Sequence, residues 1–284
     1  MIEFESVTKR FPDGTLAVEE FSLVIPSRKA TVLVGSSGSG KTTILRMINR
    51  MIDPTSGTIR IDGVNIADRH KVELRRSIGY VLQAGGLLPH RSIIDNVTTV
   101  PILNGVPKRL ARLAGLELLD KVGLERSLAD KYPRQLSGGQ QQRIGVARAL
   151  ASDPNILLMD EPFGAVDPIV RADLQSELNR LQHDIGKTIV FVTHDIDEAF
   201  ALADQVVILR RGGIIAQIGS PADILAHPAD EFVASFIGAQ KAKRELFLQA
   251  RTDGSGLMLV VDRDGRPAGV LTDERLLSRS PSTS

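Results

Sequence analysis

Short apolar, β-branched runs punctuate this chain, and most of them end in glycine or in a polar residue. Ala30-Thr-Val-Leu-Val34, Ile78-Gly-Tyr-Val-Leu82, Ile156-Leu-Leu-Met159 and Thr188-Ile-Val-Phe-Val-Thr193 each predict a buried strand. Helical patterns separate them. Residues 1–84 with 153–219 therefore read as alternating strands and helices around a mostly parallel sheet. Residues 85–152 read differently, as a helical insert. Within it Leu110, Leu113, Leu116, Leu118, Leu119 and Val122 form an approximately helical stripe over 107–122. Near the C-terminus, residues 257–272 read as two strands joined by an Asp-Gly turn. Residues 273–277 begin a helix, and the Ser-rich end from Ser278 reads as disordered.

The chemistry gathers where the strands end. After the strand at 30–34 comes Gly35-Ser36-Ser37-Gly38-Ser39-Gly40-Lys41-Thr42-Thr43. Glycines permit a tight loop whose amides turn inward around phosphate oxygens. Lys41 is placed to reach the β- and γ-phosphates, and the Thr42 hydroxyl to hold Mg²⁺. A helix over 42–51 puts its positive end at the same point. The strand at 156–159 ends in Asp160 and Glu161; Asp160 suits Mg²⁺, and Glu161 suits a general base for an attacking water. His194 follows the strand at 188–193, where it can donate to developing phosphoryl charge. Gln83 follows the strand at 78–82, where it can contact Mg²⁺ or the water. A second glycine-rich loop, Leu136-Ser137-Gly138-Gly139-Gln140, opens a helix over 141–151, and one nucleotide seldom needs both loops from one chain.

In this order and at these spacings the residues resemble the ATP-binding subunits of ABC transporters over 1–238. The resemblance implies an α/β P-loop NTPase fold: a mostly parallel sheet, an antiparallel β edge and a helical subdomain at about 85–152. It also implies ATP and Mg²⁺ as cofactors and a homodimer. Each ATP would lie between Lys41 of one copy and Ser137–Gln140 of the other, with Asp167 at the contact. Catalytic roles would fall to Glu161, His194, Lys41 and Gln83, and metal binding to Thr42, Gln83 and Asp160. Phe11 stands where the family commonly has Tyr against adenine; a π-face suffices for stacking. The segment 164–167 reads Gly-Ala-Val-Asp where Ser-Ala-Leu-Asp is more usual.

The family also implies transmembrane permease subunits and, through them, an extracytoplasmic substrate-binding protein. Leu87, Leu88 and Ile93 are expected to be exposed and to line a groove for a coupling helix of the permease, or else to pack the insert. Residues 47–57 and 83–90 look like those of quaternary-amine importers for glycine betaine, carnitine and choline. Import of another small solute, an amino acid or similar, remains open, as does a soluble non-transport ATPase. The tail at 239–284 resembles part of a CBS repeat, a short α+β module that works in pairs.

Composition narrows the choice. The 284 residues carry a formal charge of +1, without the basic excess of a nucleic-acid footprint. Cysteine is absent, which excludes disulfides and fits a reducing compartment. The N-terminus lacks the basic and apolar regions of a signal peptide, and no apolar run approaches the ~18 residues of a membrane span. The expected location is the cytoplasmic face of the membrane, held there by a permease.

Overall fold

A computed structural model describes residues 1–82, 86–163, 186–241, 247–250, 258–261 and 267–271. Gln83, Asp167 and the helix expected at 273–277 lie outside the described residues. The chain divides into two compact units, 1–229 and 230–284.

The first unit is built on two sheets. Strands β1 (Ile2–Arg10), β2 (Leu16–Ile25), β4 (Ser56–Ile61) and β5 (Val64–Asn65) form an antiparallel sheet in the order β2-β1-β4-β5. Buried and exposed residues mix along β1 and β2, as in a sheet with one wet face. The second sheet runs β10-β9-β3-β8-β7-β6. Its strands β3 (Ala30–Gly35), β6 (Ile78–Val81), β7 (Ile156–Asp160), β8 (Thr188–Thr193) and β9 (Gln205–Leu209) pair in parallel. Only β10 (Ile215–Gly219), at one edge, is antiparallel. Every residue of β3, β7 and β8 is buried, which explains their continuous apolar sequences. Helix α1 (Lys41–Ile48) shares one core with both sheets through Ile44, Leu45 and Ile48. A short helix α2 (Lys71–Ser77) precedes β6.

The expected helical insert is present as α3 (Ile93–Leu103), α4 (Lys108–Lys121) and α5 (Gly138–Leu150), with its own apolar core. Its buried seam differs from the predicted stripe. Ala111, Gly115, Leu119 and Val122 face inward, whereas Leu110 and Leu113 are more than half exposed, at 52% and 53%. The reason is Gly115, where an added Cβ would stand 2.7 Å from Ile94 and 3.0 Å from Thr98 of α3. A helix approaches its neighbour closest at its smallest residue, so small side chains took the seam.

The other corrections are local. Glycines 138 and 139 lie inside the first turn of α5, and α1 ends at Ile48, three residues before the expected Met51. Helices α6 (Ile196–Leu202) and α7 (Pro221–Ala226) also belong to the first unit. The second unit contains α8 (Glu231–Lys241) and a three-stranded antiparallel sheet, β11 (Phe247–Ala250), β12 (Met258–Val261) and β13 (Pro267–Leu271). The sequence predicts only the last two strands. Four residues, Phe-Leu-Gln-Ala, are too few to show a period of two, and β11 exists through its pairing with β12.

Candidate active site

The loop between β3 and α1 closes a small cradle. Gly38 and Gly40 adopt left-handed backbone, with φ of 79° and 88°. At Gly40 a Cβ would also meet the Ala17 carbonyl at 2.6 Å, so no side chain fits there. Lys41 is buried, and its Nζ donates to the carbonyls of Gly35 and Ser36 at 2.7 and 2.9 Å and to Ser39 Oγ at 3.4 Å. Burial draws its ammonium below the usual lysine range, against the opposing pull of Glu161 and Asp160. The loop thus holds the cation poised while the helix amides point the same way.

Asp160 and Glu161 take different surroundings although they are adjacent. Asp160 is buried at the end of β7, and both of its oxygens accept hydrogen bonds. Its Oδ1 accepts from Thr42 Oγ1 at 2.9 Å; its Oδ2 accepts from Tyr80 OH at 3.2 Å and from Arg46 Nη2 at 3.4 Å. The Tyr80 phenol is pushed up to about 12 by burial and by the neighbouring Asp160 charge, so it stays a donor. Glu161 turns away into the cavity. Its backbone sits in the left-handed region at φ 44°, rare for a glutamate, with its amide on the Val192 carbonyl at 3.0 Å.

His194 stands opposite. Its Nδ1 lies 3.5 Å from Glu161 Oε2, and the ring is largely exposed. The turn that carries it is locked from below. Thr193 Oγ1 donates to the buried Glu198 at 2.6 Å and accepts from the Asp195 amide at 3.0 Å. Asp195 Oδ1 in turn caps α6 through the amides of Asp197 and Glu198.

Ser37, Gly38, Ser39, Gly40, Lys41, Thr42, Thr43, Glu161 and His194 line one open cavity of about 400 Å³. The structure therefore brings together most of the residues expected from sequence. Gly35 and Ser36 join through Lys41, and Asp160 through Thr42. Phe11 and Ser137–Gln140 are not among the lining residues. Phe11 sits in a tight turn, its amide on the Thr15 carbonyl at 2.9 Å, with the Lys9 ammonium 5.3 Å from its ring centre. Ser137 caps α5, accepting from the Gln140 amide at 3.2 Å while its own amide donates to Gln140 Oε1 at 3.0 Å. That box leaves the amides of Gly138 and Gly139, at the first two helical positions, without an intrahelical acceptor.

Sequence reasoning missed Arg46, Tyr80 and Glu198. The spacing of Thr42 and Arg46, four apart on one helix face, was a usable signal for Arg46. Nothing local marked the other two.

Comparison with known proteins agrees with this geometry. The family model described as ABC transporter matches residues 18–164. The chain is 52% identical over 241 residues to the choline transport ATP-binding protein OpuBA of Bacillus subtilis, covering 85% of this chain and 63% of that protein. It is 48% identical over 276 residues to the glycine betaine/carnitine/choline transport ATP-binding protein OpuCA of the same organism, covering 97% of this chain and 70% of the relative. Among solved structures, the dimeric form of a bacterial ABC transporter cassette matches with a TM-score of 0.71 at 35% identity, over 78% of this chain and 99% of that one. Its post-hydrolysis form bound to ADP and Pi matches with a TM-score of 0.69 at 34% identity, over 78% and 99%.

Proposed function

This chain belongs to the ABC transporter ATP-binding family, and on that premise we propose that it is the ATP-hydrolysing motor of an importer for quaternary-amine osmoprotectants such as glycine betaine. One observation carries the catalytic part: Lys41, Thr42, Glu161 and His194 line a single cavity, with Asp160 bonded behind Thr42. The loop amides and Lys41 bind the phosphates and fix the terminal phosphorus in place. Glu161, turned into the cavity, accepts a proton from the attacking water as its oxygen bonds to phosphorus and the bond to the bridging oxygen breaks. His194, across from it, donates to the charge that gathers on the phosphoryl oxygens.

Thr42 Oγ1 and Asp160 Oδ1 fit Mg²⁺. They are hard oxygen donors 2.9 Å apart, and among the described residues no three His, Asp or Glu side chains cluster into a self-sufficient metal cage. Mg²⁺ suits such a sparse site, because it takes one or two protein oxygens and keeps water and phosphate for the rest. When bound it would neutralise phosphate charge; Gln83 is the further residue we assign to it.

The free amides of Gly138 and Gly139 support a site shared between two copies, each giving Ser137–Gln140 to the other's nucleotide with Asp167 at the contact. Phe11 would stack on adenine. Among the described residues no helix is long and apolar enough to cross a membrane, so attachment at the cytoplasmic face would come through permease subunits, which receive substrate from an extracytoplasmic binding protein. The quaternary-amine assignment rests on the relatives' substrates.

The deciding experiment is uptake of labelled glycine betaine in cells carrying this chain with its permease and binding protein, wild type against Glu161→Gln. Uptake lost in the variant, with ATP binding retained, supports both motor and cargo. Absence of uptake in the wild type would remove the cargo assignment.

A further inference from the structure

Asp160 is a two-ended group in a buried place, and each end has its own partners. A carboxylate without donors at such a position would be costly, and its orientation would be undefined. Two of its three donors among the described residues, Thr42 and Arg46, come from one face of α1. The third, Tyr80, comes from β6, the strand next to β7 in the sheet, where it stands beside Leu158. Among the described residues Tyr80 is the donor that ties the carboxylate to the sheet, and the Arg46 guanidinium of α1 interacts with the same phenol.

We propose that Tyr80 is a positioning residue for Asp160, holding Oδ2 so that Oδ1 is presented together with Thr42 to the divalent cation that accompanies the nucleotide. The proposal rests on the ATPase role assigned above. Tyr80 is better suited to the task than Arg46. Its ring packs against the main core, and its hydroxyl is the nearer donor, at 3.2 Å against 3.4 Å. The Arg46 side chain is 44% exposed, so water competes for its guanidinium. A phenol on two torsions is also cheap to hold still. Tyr80 precedes Gln83 by three residues in the sequence.

Tyr80→Phe keeps the ring in the core and deletes only the donor. The test is Mn²⁺ binding to the full chain at saturating ADP, read by the loss of the free-ion electron paramagnetic resonance signal. ADP binding in excess chelator serves as the metal-free reference. We expect Tyr80→Phe to weaken Mn²⁺ about 10-fold, the lower end for residues that orient a metal ligand, with metal-free ADP affinity within about twofold of wild type. Arg46→Gln should lose less. Unchanged Mn²⁺ affinity in Tyr80→Phe, an equal fall in metal-free ADP affinity, or a larger loss in Arg46→Gln would each overturn the proposal. A wild type that bound neither ADP nor Mn²⁺ would overturn the ATPase role, and this inference with it.

Discussion

The fully buried Asn96 holds Leu88 from both sides: its Oδ1 accepts from the Leu88 amide at 2.7 Å and its Nδ2 donates to the Leu88 carbonyl at 3.1 Å. The same Nδ2 reaches the carbonyls of Arg91 and Ser92 at 3.2 and 2.9 Å. One amide thereby fixes the turn that leads into α3. Asn96→Ala removes these bonds and leaves the Leu88 amide without its acceptor. The expected cost is about 2–4 kcal/mol, from several bonds worth roughly 1 kcal/mol each and a stranded donor. Urea denaturation would measure it, and a loss below about 1 kcal/mol would show that water replaces the side chain.

Leu88 and Ile93 should now part company. Each was expected either at an exposed groove or packed in the insert, and Ile93, with no exposed surface, packs in the insert core, as does the partly buried Leu87. Leu88 is half-buried and belongs to neither the main core nor the insert core described above. Leu88→Asp should abolish uptake while nucleotide binding and melting temperature hold. Ile93→Asp should instead destabilise the fold by several kcal/mol, since about that much is lost when an unpaired charge is buried. Thermal melts beside uptake assays distinguish the two, and a Leu88→Asp variant that transports normally removes this residue from coupling.

Glu161 is held in a backbone conformation that favours glycine. Left-handed backbone costs an L-residue roughly 1–2 kcal/mol, partly offset by the greater unfolded freedom of glycine. Glu161→Gly should therefore be more stable than Glu161→Ala by about 0.5–1 kcal/mol, the reverse of their order in a helix. Both should lose at least about 100-fold in turnover, as expected for removal of a general base. Equal stabilities would show that the strain is relieved elsewhere.

The close approach at Gly115 predicts a size threshold. Its Cβ direction meets side-chain ends, Ile94 Cδ1 and Thr98 Cγ2 closely and Val97 Cγ1 at 3.6 Å, which can yield slightly. Gly115→Ala should be near neutral, because about 1 kcal/mol of helix propensity offsets the crowding. Gly115→Val should cost about 1–3 kcal/mol by overpacking. Denaturant midpoints of the two variants test this; a tolerated valine would mean that α3 and α4 slide apart freely.

How far the sequence carries can be judged residue by residue. The phosphate loop was legible because glycine spacing, a lysine and a flanking strand and helix all lie within fifteen residues or so. Asp160, Glu161 and His194 were legible because they end apolar runs, and parallel strands deliver their ends to one edge of the sheet. Tyr80 was not, since it reads as an ordinary β residue and its role arises only from the neighbouring strand. The α4 stripe misled for a similar reason. Leucines mark a helix, but the glycine that lets two helices touch decides which face is buried.

By itself, then, the sequence determined the local pattern: which loops carry glycines spaced to turn tightly, which strands are buried, and which side chains bear charge at their ends. Those properties depend on neighbours a few residues away. The tertiary structure alone decided that Asp160 is shared among α1, β6 and β7, that Asn96 pins Leu88, and that Glu161 is turned into the cavity on strained backbone. Each of these depends on groups far apart in the chain, or on a backbone angle that no residue type announces, and only packing brings them within hydrogen-bond reach.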